Sequence, residues 1–207
     1  MALRFNDSQR AFQDRFDTRR LADRLGEVAG DDLTGFRAFI ESRDLFFLAT
    51  VDAEGQPQCS YKGGDVGFVR VLDANNLAFP SYDGNGMFLS VGNISANPQI
   101  GMLFIDLEGG SRLRVNGSAS IADDDPLLDE FPGAQLVVRV RVSAAFPNCR
   151  RYVHRHERVE QSQFVPAADG SAPVPDWKLD PWFDGCLAAD DPAHDPDAPR
   201  GPAMPHF

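Results

Sequence analysis

Two stretches decide how this chain folds: LFFLATVDAEGQPQCSYKGGD, residues 45–65, and FPSYDGNGMFLSVGNISANP, residues 79–98. The first opens on an unbroken apolar run, 45–52, that reads as a buried strand. Ala53-Glu54-Gly55 supplies a turn into a second strand near Gln58–Tyr61. The other stretch is a strand end, a glycine-rich loop SYDGNG (81–86), and a short helix that must stop before Pro98. Working outward, strands are expected at about 66–72, 76–80, 99–106, 111–121 and 135–146, joined by short turns. Strand adjoins strand without regular β-α-β alternation, so the class is α+β with six or seven antiparallel strands. Closure into a barrel removes exposed edges and is preferred to an open sheet.

The flanks read differently. Residues 8–28 predict a helix capped by Ser8, with Phe12, Phe16, Leu21, Leu25 and Val28 recurring on one side and arginines interleaved with Asp14, Asp17 and Asp23. After Gly30, a second helix is expected to about Ser42. Asp123-Asp124-Asp125 before Pro126 makes a helix start, and PNCRRYVHRHE (147–157) reads as a last short helix. From 166 onward lie nine of the 15 prolines, with eight Asp against two basic residues. Such a composition builds no core, and Asp184–Phe207 is expected to be irregular, docked as an arm or mobile. The expected organisation is helices over 1–44 packing on a barrel at 45–158, followed by a Pro/Asp-rich arm or tail, 159–207.

The 207 residues carry a net charge of −11. That balance disfavours non-specific nucleic-acid binding, which needs a basic surface. Three scattered cysteines without a C-x-x-C pair fit a reducing, cytoplasmic setting. Neither a secretory leader nor an apolar run of membrane-spanning length is present, so no membrane association is expected. There is no P-loop, no G-x-G-x-x-G, no H-E-x-x-H and no G-x-S-x-G. His154 and His156 would point about 200° apart on a helix and cannot share a metal there. No metal site is expected.

What remains is one constellation. CSYKGGD (59–65) ends a strand with Ser60, Tyr61 and Lys62, one of only two lysines. SYDGNG feeds a helix whose first turns hold Ser90 and Asn93. A loop opening into a helix N-terminus offers backbone N–H groups and the positive end of a dipole, which suit a phosphate. A nearby lysine would supply charge that the acidic chain otherwise lacks. On residues alone the plainer alternative stays open, that SYDGNG is a tight turn and Lys62 a surface lysine.

Linked motifs narrow the choice. The pattern F-L-A-T-x4-G-x-P (47–57), then K-G (62–63), G-N and S-x-x-N-I-x-x-N-P (90–98), with R-V-N-G (114–117) and FPNCRRYVHR (146–155), resembles the pyridoxamine 5′-phosphate oxidase-related flavin proteins over roughly 35–158. The resemblance implies a split β-barrel forming a homodimer, with FMN in a cleft between subunits. It assigns Lys62 to the phosphate with Ser60 beside it, and Asn85, Ser90 and Asn93 to the loop–helix junction. Ser81 and Tyr82 match positions whose backbone runs along the isoalloxazine ring. Arg114 and Asn116 are candidates for contact from the second subunit, and Trp177 for stacking if the tail folds over the site. The activity implied is FMN-dependent hydride transfer to a small-molecule substrate, with the catalytic residues unassigned. A flavin-binding sensor or carrier without turnover is the alternative, as is the same fold holding haem or a deazaflavin. Leu89-Ser90 stands where the vitamin B6 oxidases carry Arg-Lys, and their C-terminal Arg/His pattern is not evident, which argues against B6 oxidation itself.

Overall fold

In the computed structural model, which describes residues 3–203, the apolar run at 45–52 forms the strand around which the sheet is built. Strands β1 (Leu45–Val51), β2 (Pro57–Gly63), β3 (Arg70–Val71), β4 (Asn76–Tyr82), β5 (Gln99–Ile105), β6 (Arg112–Ala122) and β7 (Ala134–Asn148) make one antiparallel sheet in the order β2-β1-β5-β6-β7-β4-β3. This is the seven-stranded split barrel of the α+β class anticipated from the sequence. Alternate residues of β1, namely Phe46, Leu48 and Thr50, point inward. Phe46 is fully buried and touches Phe68, Phe79 and Phe104 with ring centroids 5.8, 4.9 and 5.3 Å away. The sheet therefore curls until its two ends meet across one core.

Helix α4 (Leu89–Ala96) carries the chain from β4 to β5 and packs on β1 and β6 through Ile94. A register shift lies between Asn116 and Gly117 on β6. A Cβ at Gly117 would fall 2.5 Å from the Arg141 carbonyl oxygen, so β7 can approach this closely only against glycine.

Several expectations are corrected. The 8–28 segment is two helices, α1 (Asp7–Arg15) and α2 (Arg19–Glu27), because Asp17 takes a left-handed conformation at φ 51°. The cap is Asn6, paired with Gln9 in a reciprocal box, rather than Ser8. The arginines do pair along the surface, as in Arg19–Asp14 and Arg10–Asp23, but Phe12, Phe16, Leu21, Leu25 and Val28 stay exposed. Contact with the barrel comes instead from Leu33 and from Ile40 on α3 (Arg37–Glu41), both fully buried. The expected strand at 66–72 shrinks to two residues. Asp125 starts no α-helix: it accepts from Leu127 N–H and forms a two-pronged ion pair with Arg139 at 2.5 and 2.8 Å. No helix forms at 147–157 either. β7 runs on to Asn148, and the chain then turns through Tyr152 at φ 67°. The geometric argument about His154 and His156 on a helix lapses with it; among the described residues no three His, Cys, Asp or Glu side chains are grouped to hold a metal.

The C-terminal arm is irregular but docked. Three short 3-10 turns lie at Asp176–Leu179, Pro181–Phe183 and Pro192–His194, and a parallel bridge joins Val174 to Arg200. Residues 204–207 lie outside the described residues. Among those described, no helix is long and apolar enough to cross a membrane.

Phe46 joins both ends of the sheet, so Phe46→Ala is expected to lose about 3–5 kcal/mol of stability. Urea unfolding checks this; a loss below ~1 kcal/mol would show that the ring cluster does not hold the barrel shut.

Candidate functional site

β2 ends beside the start of α4, and the two face each other across a cleft of about 310 Å³. Ser60 and Lys62 are two residues apart on β2 and so share a face of the strand. Ser60 Oγ lies 3.0 Å from Ser90 Oγ in the first turn of α4. From the other side, Ser81 and Tyr82 end β4 at a register shift, a local irregularity that re-aims side chains where pairing stops. The loop between them, with Gly84, Asn85 and Gly86, completes the wall.

Two features make this cleft attractive to an anion. No side chain caps α4, and its N-cap, Phe88, sits at φ 48°, a left-handed conformation that costs a bulky residue about 1–3 kcal/mol. The N–H groups of the first turn are thus left open to the cleft, at the positive end of the helix dipole. Opposite stands Lys62, half-buried, whose side chain makes no hydrogen bond or ion pair among the described residues. Burial alone pushes its pKa down. A cation withdrawn from water without a counter-charge is costly, and an anion in the cleft relieves that cost.

Six of the ten residues singled out from the sequence line this cleft: Ser60, Lys62, Ser81, Tyr82, Asn85 and Ser90. The others lie elsewhere. Asn93 is buried behind the cleft and donates from Nδ2 to Thr50 Oγ1 at 3.0 Å, tying α4 to β1. Arg114 and Asn116 lie on the exposed face of β6. Trp177 packs edge-on against Phe183, 5.2 Å between centroids, outside the cleft lining. Its neighbour Lys178 is the arm residue that reaches this region, through Asp83 of the glycine-rich loop. Sequence reading missed Lys178; the available signal was its rarity, since only two lysines occur among 20 basic residues.

A larger open groove of about 940 Å³ adjoins the cleft at Tyr82 and also exposes Tyr61. The chain following β7 forms one wall, pinned by Arg158 to Asp44 and by Gln161 to Asp65, each at 2.6 Å. Burial raises the pKa of both phenols, helped by Asp44 at Tyr61 and by Asp65 at Tyr82. Both therefore remain O–H donors at neutral pH.

An antiparallel split barrel with an anion-ready cleft at a loop–helix junction is the class of protein these features define. The family model described as pyridoxamine 5′-phosphate oxidase matches residues 34–163, more than half of the chain, and the protein belongs to that family. Among curated proteins, none matches. Similar solved structures include a candidate pyridoxamine 5′-phosphate oxidase from Lactobacillus delbrueckii, 27% identical, covering 56% of this chain and 94% of its own, with a TM-score of 0.45. An F420 reductase is 25% identical, with coverage of 52% and 93% and a TM-score of 0.39. HutZ, the heme storage protein from Vibrio cholerae, is 20% identical, with coverage of 54% and 91% and a TM-score of 0.40. The choice of cofactor has to come from the site itself.

The two lysines offer a direct test. Lys62 is expected to titrate below the ordinary 10.5. Burial also pulls on Lys178, but hydrogen bonds and charge from Asp191 and Asp83 outweigh it and raise its pKa above 10.5. The signs follow from linkage. Lys62 costs stability while charged, and that cost fades as pH climbs through its lowered pKa. Lys178 contributes stability below 10.5 that is lost as pH rises through its raised pKa. NMR of 13Cε-labelled lysine should resolve two side-chain titrations, the Lys62 midpoint below the ordinary value and the Lys178 midpoint above it. Inorganic phosphate should raise the Lys62 value and leave Lys178 in place; no response at Lys62 would count against an anion site.

Proposed function

We propose that this protein is an FMN-dependent oxidoreductase, exchanging hydride with a small substrate. The observation that carries the reading is Lys62, a half-buried cation without a partner among the described residues, facing an uncapped helix start across the Ser60–Ser90 hydroxyl pair. Those donors fit a phosphate monoester: the ammonium supplies charge, the hydroxyls and first-turn N–H groups supply directional hydrogen bonds. The flavin, when bound, supplies the hydride chemistry, so no protein nucleophile is required. Tyr82 lines both the cleft and the groove, with Ser81 next to it in the cleft, and in this reading the two border the ring. Tyr61 and Tyr82, kept protonated by burial, are placed to donate a hydrogen bond to a substrate held in the groove. The groove lining carries six carboxylates against Arg43 and Arg158, which favours neutral or cationic substrates over anions.

A homodimer belongs to the same reading. Met87, Phe88 and Leu89 form an exposed apolar ridge beside the cleft, at 61, 52 and 46% exposure, as suits a surface covered by a second copy. Arg114 and Asn116, outside the cleft in one chain, are then available to the partner's site. A reducing cytoplasm suits three exposed and unpaired cysteines.

Lys62→Ala should weaken FMN binding by about ten- to a hundredfold, the worth of one charge-assisted hydrogen bond of ~1.5–3 kcal/mol. Riboflavin, which lacks the phosphate, should bind both forms alike in a flavin-fluorescence titration. Equal FMN affinity for the variant and the parent would remove Lys62 from the phosphate site. Light scattering after size exclusion should give about twice 22.7 kDa. A monomer that retains stoichiometric FMN would rule out a cleft shared between subunits.

A further inference from the structure

The loop that walls the anion cleft has little of its own to hold it. Residues 83–89 are all exposed, and Gly84 and Gly86 give the backbone wide freedom, Gly86 being at φ 74°. Within it, Asn85 Oδ1 accepts from Met87 N–H at 3.1 Å, and Gln135 Nε2 donates weakly to Asp83 at 3.4 Å. The short contact comes from far away in sequence. Lys178 Nζ donates to Asp83 Oδ2 at 2.6 Å and to Asp191 Oδ2 at 2.7 Å, with only 5% of the lysine side chain exposed.

Asp191 is itself fixed, since its other oxygen accepts from Ala193 N–H at 2.9 Å and caps the turn at Pro192–His194. The arm around it is closed by Val174 N–H to Pro199 O at 2.8 Å and by Gly201 N–H to Val174 O at 2.9 Å. It is further anchored where Phe164 packs over Gly201 and Pro166 over Gly133. Asp191 alone would be enough to pair a buried lysine within the arm. The second carboxylate adds nothing the arm needs, but it ties the arm to the cleft loop. We infer that Lys178 is a positioning residue for the cofactor site, acting through Asp83 to hold the SYDGNG loop in the geometry that receives the phosphate-bearing ligand.

This inference rests on the anion-cleft reading above and adds to it a role for the arm. The triad of Asp83, Lys178 and Asp191 carries a net charge of −1; Lys178→Met makes it −2 and Asp83→Ala makes it zero, so a loss of affinity shared by both variants is one of position rather than field. Losing it frees at least one residue of the loop, which corresponds to about a tenfold loss in affinity.

The test is a double-mutant cycle in the full chain with Lys178→Met, Asp83→Ala and the two combined, with Lys178→Arg as the conservative variant. FMN affinity is read by fluorescence and loop order by backbone 15N order parameters over residues 84–87 without ligand. Each single change should weaken FMN binding about tenfold and lower the loop order parameters. The double variant should be no worse than either, and Lys178→Arg should recover most of the loss. Additive losses, or unchanged loop order in the single variants, would overturn the assignment. Should Lys178→Met fail to fold, Asp83→Ala leaves Lys178 paired with Asp191, and unchanged loop order there would overturn it equally. A parent chain that binds no FMN would defeat the functional reading, while the loop order parameters would still decide whether Lys178 holds the loop.

Discussion

A sheet ordered β2-β1-β5-β6-β7-β4-β3 begins and ends on unrelated strands, and nothing in its hydrogen bonding brings those ends together. The Phe46 ring does. It is seated on β1 against Phe79 of β4 and Phe68 just before β3, and so closes the sheet on an apolar core where backbone pairing stops. Everything at the cleft depends on that closure. Lys62 and Ser60 belong to one end of the sheet and Ser81 and Tyr82 to the other, and only the curl places them around the same space.

The cleft is a place where local rules are broken together. A non-glycine residue enters a helix in a left-handed conformation, the helix has no side-chain cap, and a lysine is drawn from water without a carboxylate partner among the described residues. Elsewhere the same chain follows those rules closely. Asn6 and Gln9 cap α1 reciprocally, Asp125 is met by Arg139, and Lys178 by two aspartates. In an acidic protein a carboxylate for Lys62 would have been easy to supply. Among the described residues none is supplied, which is the ground for proposing that the site receives an anion.

Much of the barrel was legible because strand period and turn chemistry are local. The apolar run at 45–52, the Ala53-Glu54-Gly55 turn and the paired runs at 99–106 and 111–121 each carry their structure within a few residues. Helices were read less well. Apolar residues recurring every three to five positions over 8–28 did not reveal that Asp17 would turn left-handed, and good start signals at Asp123–Asp125 were diverted by Arg139, 14 residues on. The run at 147–157 read as a short helix, yet β6 offered β7 a ladder as far as Asn148, and pairing prevailed there.

By itself, then, the sequence determined the class of fold, the strand–loop–helix unit at 79–98 and the presence of a lysine on the strand ending at 59–65. These follow from side-chain period, glycine content and the scarcity of lysine, all of which act at short range. Tertiary structure alone decided which polar residues share the cleft. It brought Ser60 against Ser90, turned Asn93 inward to Thr50 and left Arg114 and Asn116 outside. It also carried Lys178 across 95 positions to Asp83. Contacts of that kind depend on how the sheet curls and where the arm lies, and no local pattern of residues encodes either.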